Sequence, residues 1–229
     1  MNSFRISAAM MAAIVMVLTA APAKAALDVS TTTGTSGTFA VSATDLIDQS
    51  QATFGSSSFT GTDSFGTGVA GLNDGIMYVV NDGDTTGSLT PTEGSVAIFN
   101  LDTSTNIAGY DITSIVTYTA LSAGVRVGQS YDLEYSVVGS AAFLALTSVS
   151  VADGTGQEVR VTISDTLALP LATGVDALRF TFHDVAPFNE QVYREFDVVG
   201  SASVIPEPAS LGLLAIGVGT MFLGRRRRA

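Results

Sequence analysis

Between residues 95 and 199, apolar and polar residues alternate along most of the chain, which is the period of side chains on the two faces of a β-strand. Short clusters of Gly, Asp and Asn separate the alternating stretches at intervals typical of antiparallel hairpins. No window before the C-terminal tail has sustained helical periodicity. The pattern predicts an all-β antiparallel β-sandwich, with strands at Ser95–Leu101, Ile112–Thr119, Tyr131–Val138, Phe143–Val151, Glu158–Ile163, Ala177–His183 and Tyr193–Val199.

The segment from Thr31 to Gly68 lacks this alternation. It is rich in Ser, Thr and Gly and carries isolated phenylalanines. We expect short strands and long loops there, with an N-terminal edge hairpin as one arrangement. Two acidic turns follow, at Leu72–Gly75 and at Asn81–Asp84.

The aromatic residues divide between two kinds of position. One group alternates with polar neighbours inside the predicted strands and is expected in the core: Phe99, Phe143, Phe180 and Phe182. The other group could flank an exposed face or loop, where stacking on a sugar and simple half-burial are alternatives: Tyr78, Tyr110, Tyr118 and Phe188.

The N-terminal residues 1–25 have the order of a secretory signal peptide. Arg5 supplies a positive charge, the run Ile6–Ala21 is almost wholly apolar, and Ala23-Lys24-Ala25 matches an A-x-A cleavage site. We therefore expect a signal helix that is removed after Ala25, so that the mature chain begins at Ala26. An uncleaved membrane anchor is the alternative.

The C-terminal residues 206–229 contain three features in order. Pro206-Glu207-Pro208 should end the preceding domain, residues 26–205, because proline fixes φ and lacks a backbone N–H. The 15 uncharged, mostly apolar residues 209–223 would form a membrane helix of roughly 22 Å, which is short against a hydrocarbon core of about 30 Å. Such a marginal span suits a segment that is processed. The tail would be held on the cytoplasmic side by Arg225, Arg226, Arg227 and Arg228.

This order resembles the PEP-CTERM sorting signal of Gram-negative bacteria. The resemblance covers about a tenth of the chain. It implies that the secretion machinery exports the chain through the inner membrane and that the C-terminal segment inserts transiently. It also implies that an exosortase, a membrane transpeptidase-like enzyme, then cuts near the motif and delivers the domain to the cell surface or extracellular matrix. A plain C-terminal membrane anchor is the alternative.

The composition of residues 26–205, the part that is expected to be exported, limits the classes of molecule that it can bind. Residues 26–205 contain four arginines, no lysine and 20 of the 21 acidic residues, which gives a net charge of −16. Such a surface repels nucleic acid and anionic membranes, and it favours divalent cations or neutral partners such as glycans. The chain has no cysteine, so the domain must be stable without disulfides.

The order of several segments is similar to galactose-binding-like jelly rolls, the superfamily of discoidin domains and many carbohydrate-binding modules. The similarity implies a jelly-roll β-sandwich. The chain contains no tryptophan, however, and the aromatic residues that often stack on sugars in that superfamily are not evident. The segments that carry the similarity are Leu72-Asn73-Asp74-Gly75, Ser95–Leu101, Gly109–Ile115, Val175–Phe182 and Tyr193–Gly200.

A structural Ca²⁺ in that superfamily is often held by an early Asp-Gly loop and a late Glu. By motif position, the resemblance implies Asp74 and Glu195 as Ca²⁺ ligands. The alternative is that Asn73–Gly75 is only a tight turn and that Glu195 pairs with an arginine. The second acidic turn has Thr92 at the twelfth position, where a Ca²⁺ loop needs a bidentate Glu, so a solvated hairpin turn is expected there.

The residues give little support for catalysis. His183 is the only histidine and there is no cysteine, so neither a zinc site nor a Cys/His nucleophile can be assembled. A Gly-x-Ser-x-Gly elbow is absent. Sequence spacing does not test whether two carboxylates flank a sugar-sized cleft. We expect a structural role for His183 and no enzyme activity.

Two functions remain from different classes. The first is a structural or adhesive protein of the cell envelope or extracellular matrix in an exopolysaccharide-producing Gram-negative bacterium. The alternative is a carbohydrate-binding module for a neutral or matrix glycan. A concave patch built from Tyr78, Tyr118, Arg126 or Phe188 would favour the module, whereas an acidic surface without a deep polar cleft would favour the scaffold.

Overall fold

The structure is a computed structural model that describes residues 26–78, 86–154 and 156–204. Several predicted features lie outside the described residues. These are the signal peptide with Ala23 and Ala25, the acidic turn at 81–84, and the sorting segment with Pro206, Glu207, Pro208, Arg225, Arg226, Arg227 and Arg228.

The predicted all-β antiparallel architecture is confirmed. All seven predicted strands are present with small changes at their ends, two more precede them, and one 3₁₀ turn, Val69–Leu72, completes the regular structure of the described residues. The strands are β1 Leu27–Gly34, β2 Phe54–Thr60, β3 Val96–Leu101, β4 Tyr110–Ala120, β5 Gln129–Val137, β6 Leu144–Val151, β7 Glu158–Asp165, β8 Ala172–Phe182 and β9 Tyr193–Ala202.

The strands form two layers. One layer has the order β1-β7-β4-β9, and the other has the order β6-β5-β8-β3-β2. The layers join where the start of β4 pairs with the start of β8, with Tyr110 opposite Val175 and Ile112 opposite Ala172. Every pairing is antiparallel. The result is a β-sandwich whose inner faces both contribute apolar side chains.

Aromatic rings from both layers meet in the core. Phe180 of β8 lies with its ring centroid 4.6 Å from that of Phe196 of β9, and Phe99 packs edge-on against Phe180 at 5.9 Å. Phe182 and Tyr193 make a further contact across the layers at 4.9 Å. These residues are buried as the strand alternation predicts.

Two aromatic expectations are wrong. Phe143 is only half-buried, because it precedes the edge strand β6, and its ring lies against the guanidinium of Arg179 at 4.3 Å. Tyr110 and Tyr118 are buried rather than exposed. Tyr118 lies on the outer face of its layer, where Phe39 of the N-terminal segment covers it at 6.2 Å between ring centroids.

The N-terminal edge hairpin is also wrong. β1 pairs with β7 and β2 pairs with β3, so the two strands are edges of different layers. The connection between them, residues 35–53, crosses the outer face of the first layer. There Leu46 donates a backbone hydrogen bond to Val198 of β9 at 2.8 Å. This crossing covers a face that would otherwise be in water.

Candidate metal centre

Strand β9 sends its side chains to two different environments. Phe196 and Val198 point into the sandwich, whereas Glu195 and Asp197 lie on the opposite face because side chains alternate along a strand. That outer face is not solvated. The crossing segment covers it, and Glu195 and Asp197 are 0% and 1% exposed.

The crossing segment adds a third carboxylate. Asp45 forms an isolated bridge with Val199, and its Oδ1 accepts the backbone N–H groups of Val198 at 2.7 Å and Ile47 at 3.1 Å. These bonds hold Asp45 in place at 3% exposure. One carboxylate oxygen from each of Asp45, Glu195 and Asp197 lies within 4.8 Å of the others. We call these three residues the carboxylate cluster.

Several carboxylate oxygens of the carboxylate cluster have no hydrogen-bond donor. Asp197 receives the Tyr118 hydroxyl at 3.0 Å and the Ser42 backbone N–H at 2.8 Å, both on Oδ2. Its Oδ1, the Oδ2 of Asp45 and both oxygens of Glu195 are buried without a hydrogen-bond partner. A buried carboxylate without donors is strongly destabilising unless a proton or a cation neutralises it.

Burial and mutual repulsion disfavour the charged forms of these groups. Burial, followed by the charges of Asp197, Asp74 and Asp45, raises the pKa of Glu195 from 4.5 to about 10. Burial also raises the pKa of Asp45 from 3.8 to about 7 and raises that of Asp197. At neutral pH the carboxylate cluster therefore binds protons unless a cation replaces them.

The predicted ligand Asp74 lies beside Glu195. Gly75 adopts a left-handed φ of 74°, and the Asp74 Oδ1 accepts the Ile76 N–H at 3.0 Å, so the predicted tight turn forms. Burial raises the pKa of Asp74, while its contacts with the Ile76 N–H, the Tyr78 hydroxyl and the carboxyl of Glu195 oppose that rise. The fold thus brings together the two residues singled out in the sequence, and their metal binding stays a prediction.

Pairing of Glu195 with an arginine does not occur within the described residues. Both Glu195 oxygens lack a hydrogen-bond partner. The neighbouring Arg194 instead donates to the carbonyl oxygens of Ala120 at 3.0 Å and Thr86 at 2.7 Å.

Sequence reasoning missed Asp45 and Asp197. Asp197 had a usable signal, because two acids spaced by two in an apolar strand must share one face. Asp45 had none, since it lies in a segment without periodicity and reaches β9 only through the crossing.

The carboxylate cluster fits a hard divalent cation. Ca²⁺ binds six to eight oxygen ligands at about 2.3–2.6 Å, so ligand oxygens within 4.8 Å of one another can share one ion. Among the described residues, the cluster consists of carboxylates alone, which suits Ca²⁺ better than a transition metal. Asp74 lines a cavity of about 310 Å³, together with Gln49, Ala70, Tyr78 and Gly87 among others, whereas the three residues of the carboxylate cluster do not line it.

His183 bridges two carboxylates at the surface. Its Nδ1 lies 2.9 Å from Glu93 and its Nε2 lies 3.1 Å from Asp132. The hydrogen bond to Glu93 is the main reason that the pKa of His183 is raised. Both ring nitrogens are therefore engaged, and His183 joins the segment before β3, which carries Glu93, to strand β5, which carries Asp132.

A second surface feature combines an arginine with two aromatic rings. The Arg126 guanidinium lies 5.3 Å from the ring centroid of Phe65 and 5.4 Å from that of Phe188, and it pairs with Glu190 at 2.9 Å. Phe65 is 54% exposed. Three different loops supply Phe65, Arg126 and Phe188, which we call the Phe–Arg patch.

Within residues 26–78, 86–154 and 156–204, no helix has the length and apolar character required to cross a bilayer.

The chain carries the PEP-CTERM protein-sorting motif at residues 204–228, which confirms the predicted sorting signal. No curated protein matches the chain. Such a motif directs a protein to exosortase-dependent sorting at the cell envelope.

The fold is similar to solved carbohydrate-binding modules. One is the family 32 module of Clostridium perfringens NanJ, in complex with galactose, at 10% identity and a TM-score of 0.43, covering 62% of this chain and 91% of that one. Another is chitosan-binding module 1 of a Paenibacillus sp. IK-5 chitosanase/glucanase. It has 14% identity and a TM-score of 0.42, and the match covers 68% of this chain and 98% of that one. The CBM32-1 and CBM32-2 domains of C. perfringens ZmpB have 12% identity and a TM-score of 0.48, and the match covers 75% of this chain and 42% of that one.

Proposed function

We propose that the chain is the precursor of an exported structural or adhesive protein of the cell envelope or extracellular matrix, whose β-sandwich is stabilised by Ca²⁺. The sorting motif at residues 204–228 is the observation that carries the export and sorting part of this proposal. The net charge of −16 over residues 26–205 supports a soluble exported domain that does not bind nucleic acid. No catalytic step belongs to the proposed role.

The Ca²⁺ part of the proposal rests on the orphaned oxygens of the carboxylate cluster. Asp45, Glu195 and Asp197 would supply the buried ligands, and Asp74 would supply the ligand nearest the cavity. Bound Ca²⁺ would neutralise these like charges and connect the crossing segment to β9. The proposed role of the ion is therefore structural, since it joins the N-terminal and C-terminal parts of the domain.

The sorting proposal is tested in an exosortase-bearing Gram-negative host with an epitope inserted in an exposed loop. The wild-type protein is expected in the surface or extracellular fraction, with an intact mass that lacks the residues after the cleavage point. A variant with Pro206, Glu207 and Pro208 replaced by Ala should keep its C-terminal residues and remain in the membrane fraction. A wild-type protein found only in the membrane with all 229 residues except the signal peptide would indicate a permanent anchor instead.

Carbohydrate binding is the second candidate function, and the Phe–Arg patch favours it. Exposed aromatic faces combined with a charged hydrogen-bonding group are typical components of sugar sites. Binding of the exported protein to a glycan array, with Ca²⁺ and with chelator, tests it. Loss of binding in Phe65→Ala and Arg126→Ala, but not in Phe143→Ala, whose ring lies against Arg179 and not against Arg126, would support this candidate. An array without any bound glycan would leave the structural role as the proposal.

A further inference from the structure

The first described residue, Ala26, is held by the end of strand β7. Its backbone N–H donates to Oδ2 of Asp165 in a short hydrogen bond, and its carbonyl oxygen accepts the Thr166 N–H at 3.1 Å. The other oxygen of Asp165 accepts the N–H groups of Leu167 at 2.7 Å and Leu169 at 3.1 Å. One oxygen of Asp165 therefore shapes the turn after β7, and the other receives the start of β1.

The atom that contacts Asp165 is also the atom that signal-peptide removal would change. The sequence predicts hydrolysis of the Ala25–Ala26 peptide bond. Water would add across that bond, which leaves a carboxylate on Ala25 and an α-ammonium on Ala26. An uncharged amide donor would thus become a cation at the position that faces a carboxylate.

We propose that Asp165 is the docking site of the new N-terminus, so that signal-peptide removal converts a peptide hydrogen bond into an ion pair that fastens β1 to β7. This proposal rests on the predicted cleavage after Ala25. It is independent of the exosortase and Ca²⁺ proposals, so each can fail without the others.

The surroundings of Ala26 favour this pairing. The charged side chains of β1 and β7 are Asp28, Glu158, Arg160 and Asp165. Arg160, the basic member, lies opposite Thr32, and Glu158 lies opposite Gly34 at the far end of the strand pair. Asp28 lies opposite Ser164, next to the site, and adds negative potential. An ammonium at Ala26 therefore has a carboxylate partner and no competing cation on either strand.

Strand β1 depends on such an anchor because it buries little surface. Its first seven residues are exposed on both faces, and within the described fold it pairs only with β7. An exposed edge strand frays from its end. Fixing the terminal residue opposes that fraying where the hydrophobic core contributes least.

The pairing has a defined pH dependence. The N–H groups of Leu169 and Leu167 and that of Ala26 keep the pKa of Asp165 below its usual range, so it is ionised at neutral pH. An α-amino group has an ordinary pKa of about 7.7–8, and an adjacent carboxylate raises it. The ion pair therefore contributes fully to stability below the ordinary pKa of the α-amino group, and its contribution is lost as the pH rises through the raised pKa. The backbone amide of the uncleaved chain does not titrate.

The chain is well suited to a direct test, because Lys24 is its only lysine. After cleavage behind Ala25, the α-amino group of Ala26 is the single amine in the protein. Intact mass of the exported protein should show Ala26 as its first residue. The rate of acylation by an amine-reactive reagent, measured against pH, then gives the α-amino pKa at one site.

We expect acylation of the wild-type protein at pH 7.5 to be about threefold to tenfold slower than that of Asp165→Asn. Asp28→Asn is the matched control, because it removes a neighbouring charge without removing the docking carboxylate, and its rate should rise much less than that of Asp165→Asn. Acylation should lower the melting temperature of the wild type by about 1–3 °C and leave Asp165→Asn unchanged. If Asp165→Asn does not accumulate, the wild-type titration alone decides. A pKa of about 8 or below, equal rates in the variants, or a different first residue would overturn the proposal.

Discussion

Two buried glutamates on either side of strand β4 have opposite surroundings. Glu158 of β7 lies opposite Ala120, and Glu195 of β9 lies opposite Tyr118. They are 1% and 0% exposed. Glu158 accepts the backbone N–H groups of Gly37, Thr38 and Phe39, the last two at 3.0 and 3.3 Å, whereas Glu195 has no hydrogen-bond partner.

The same N-terminal segment creates both situations. After β1 it turns around Glu158 and presents three N–H donors to one carboxylate. About six residues later it brings Asp45 against Glu195 and Asp197 and adds a like charge. The first glutamate is therefore satisfied by the protein alone, and the second requires a proton or a cation. The comparison shows that burial alone does not make a glutamate a candidate ligand, and that Glu195 differs from Glu158 in lacking hydrogen-bond donors and in lying beside two other carboxylates.

The largest expected effect comes from supplying Ca²⁺. At pH 8, Ca²⁺ at 100 times its dissociation constant should stabilise the wild-type protein by about 2.7 kcal/mol, which corresponds to a rise in melting temperature of roughly 5–10 °C over the chelated protein. Calorimetry of the exported protein with Ca²⁺ and with EDTA measures the difference. Glu195→Gln should abolish the response, and an equal rise in that variant would exclude the carboxylate cluster as the site.

Removing the satisfied glutamate should lower the free energy of unfolding by about 2 kcal/mol. Glu158→Ala leaves the N–H groups of Gly37, Thr38 and Phe39 without their acceptor. Gly37 and Thr38 are exposed and can donate to water instead, so the main loss comes from Phe39, which is buried and is left without a partner. Denaturant unfolding with and without Ca²⁺ should give the same loss, because Glu158 does not contact the carboxylate cluster. A loss seen only in Ca²⁺ would break the distinction between the two glutamates.

The pH dependence of stability should show whether protons or Ca²⁺ neutralise the carboxylate cluster. In EDTA, Glu195 and Asp45 have folded pKa values of about 10 and about 7, above their ordinary values of 4.5 and 3.8. Because the pKa values of both groups are raised in the folded protein, the folded state is fully stable below their ordinary pKa values. That stability is lost as the pH rises through the folded pKa values. The chelated protein should lose at most about 1.4 kcal/mol per pH unit for each such group.

Saturating Ca²⁺ should flatten or reverse that slope, because the cation replaces the protons and is bound more tightly as pH rises. Equilibrium unfolding between pH 5 and pH 8.5 checks this. Parallel slopes with Ca²⁺ and EDTA would mean that protons alone neutralise the carboxylate cluster.

The smallest expected effect is that of Asp45→Asn. The amide keeps the Oδ1 acceptor for Val198 and Ile47 but removes one negative charge. We expect about tenfold weaker Ca²⁺ binding by isothermal titration, together with a stability in EDTA at pH 8 that equals or slightly exceeds that of the wild type. Ser42→Ala, which keeps the backbone donor to Asp197, is a neutral control in the same segment.

Local pattern was sufficient for most strands. Alternation located all seven predicted strands between Val96 and Ala202, because each has one face in the core. It failed at Phe143, which lies half-buried just before the edge strand β6, and at β1 and β2, whose exposed faces give no apolar alternation. The resemblance to galactose-binding-like domains also implied two residues, Asp74 and Glu195, that the fold brings side by side.

The sequence by itself determined the all-β class, the sorting signal and the acidic, lysine-free exported part, because each depends on local order or composition. Only the tertiary structure decided that Asp45 meets Glu195 and Asp197, that Tyr118 is buried, and that Asp165 receives Ala26. Each of these depends on a contact between residues at least 70 positions apart. The contact of Ala26 is set by the pairing of β1 with β7, and the other two contacts are set by how residues 35–53 cross the sandwich. An aperiodic Ser/Thr/Gly segment carries no local pattern that specifies either path.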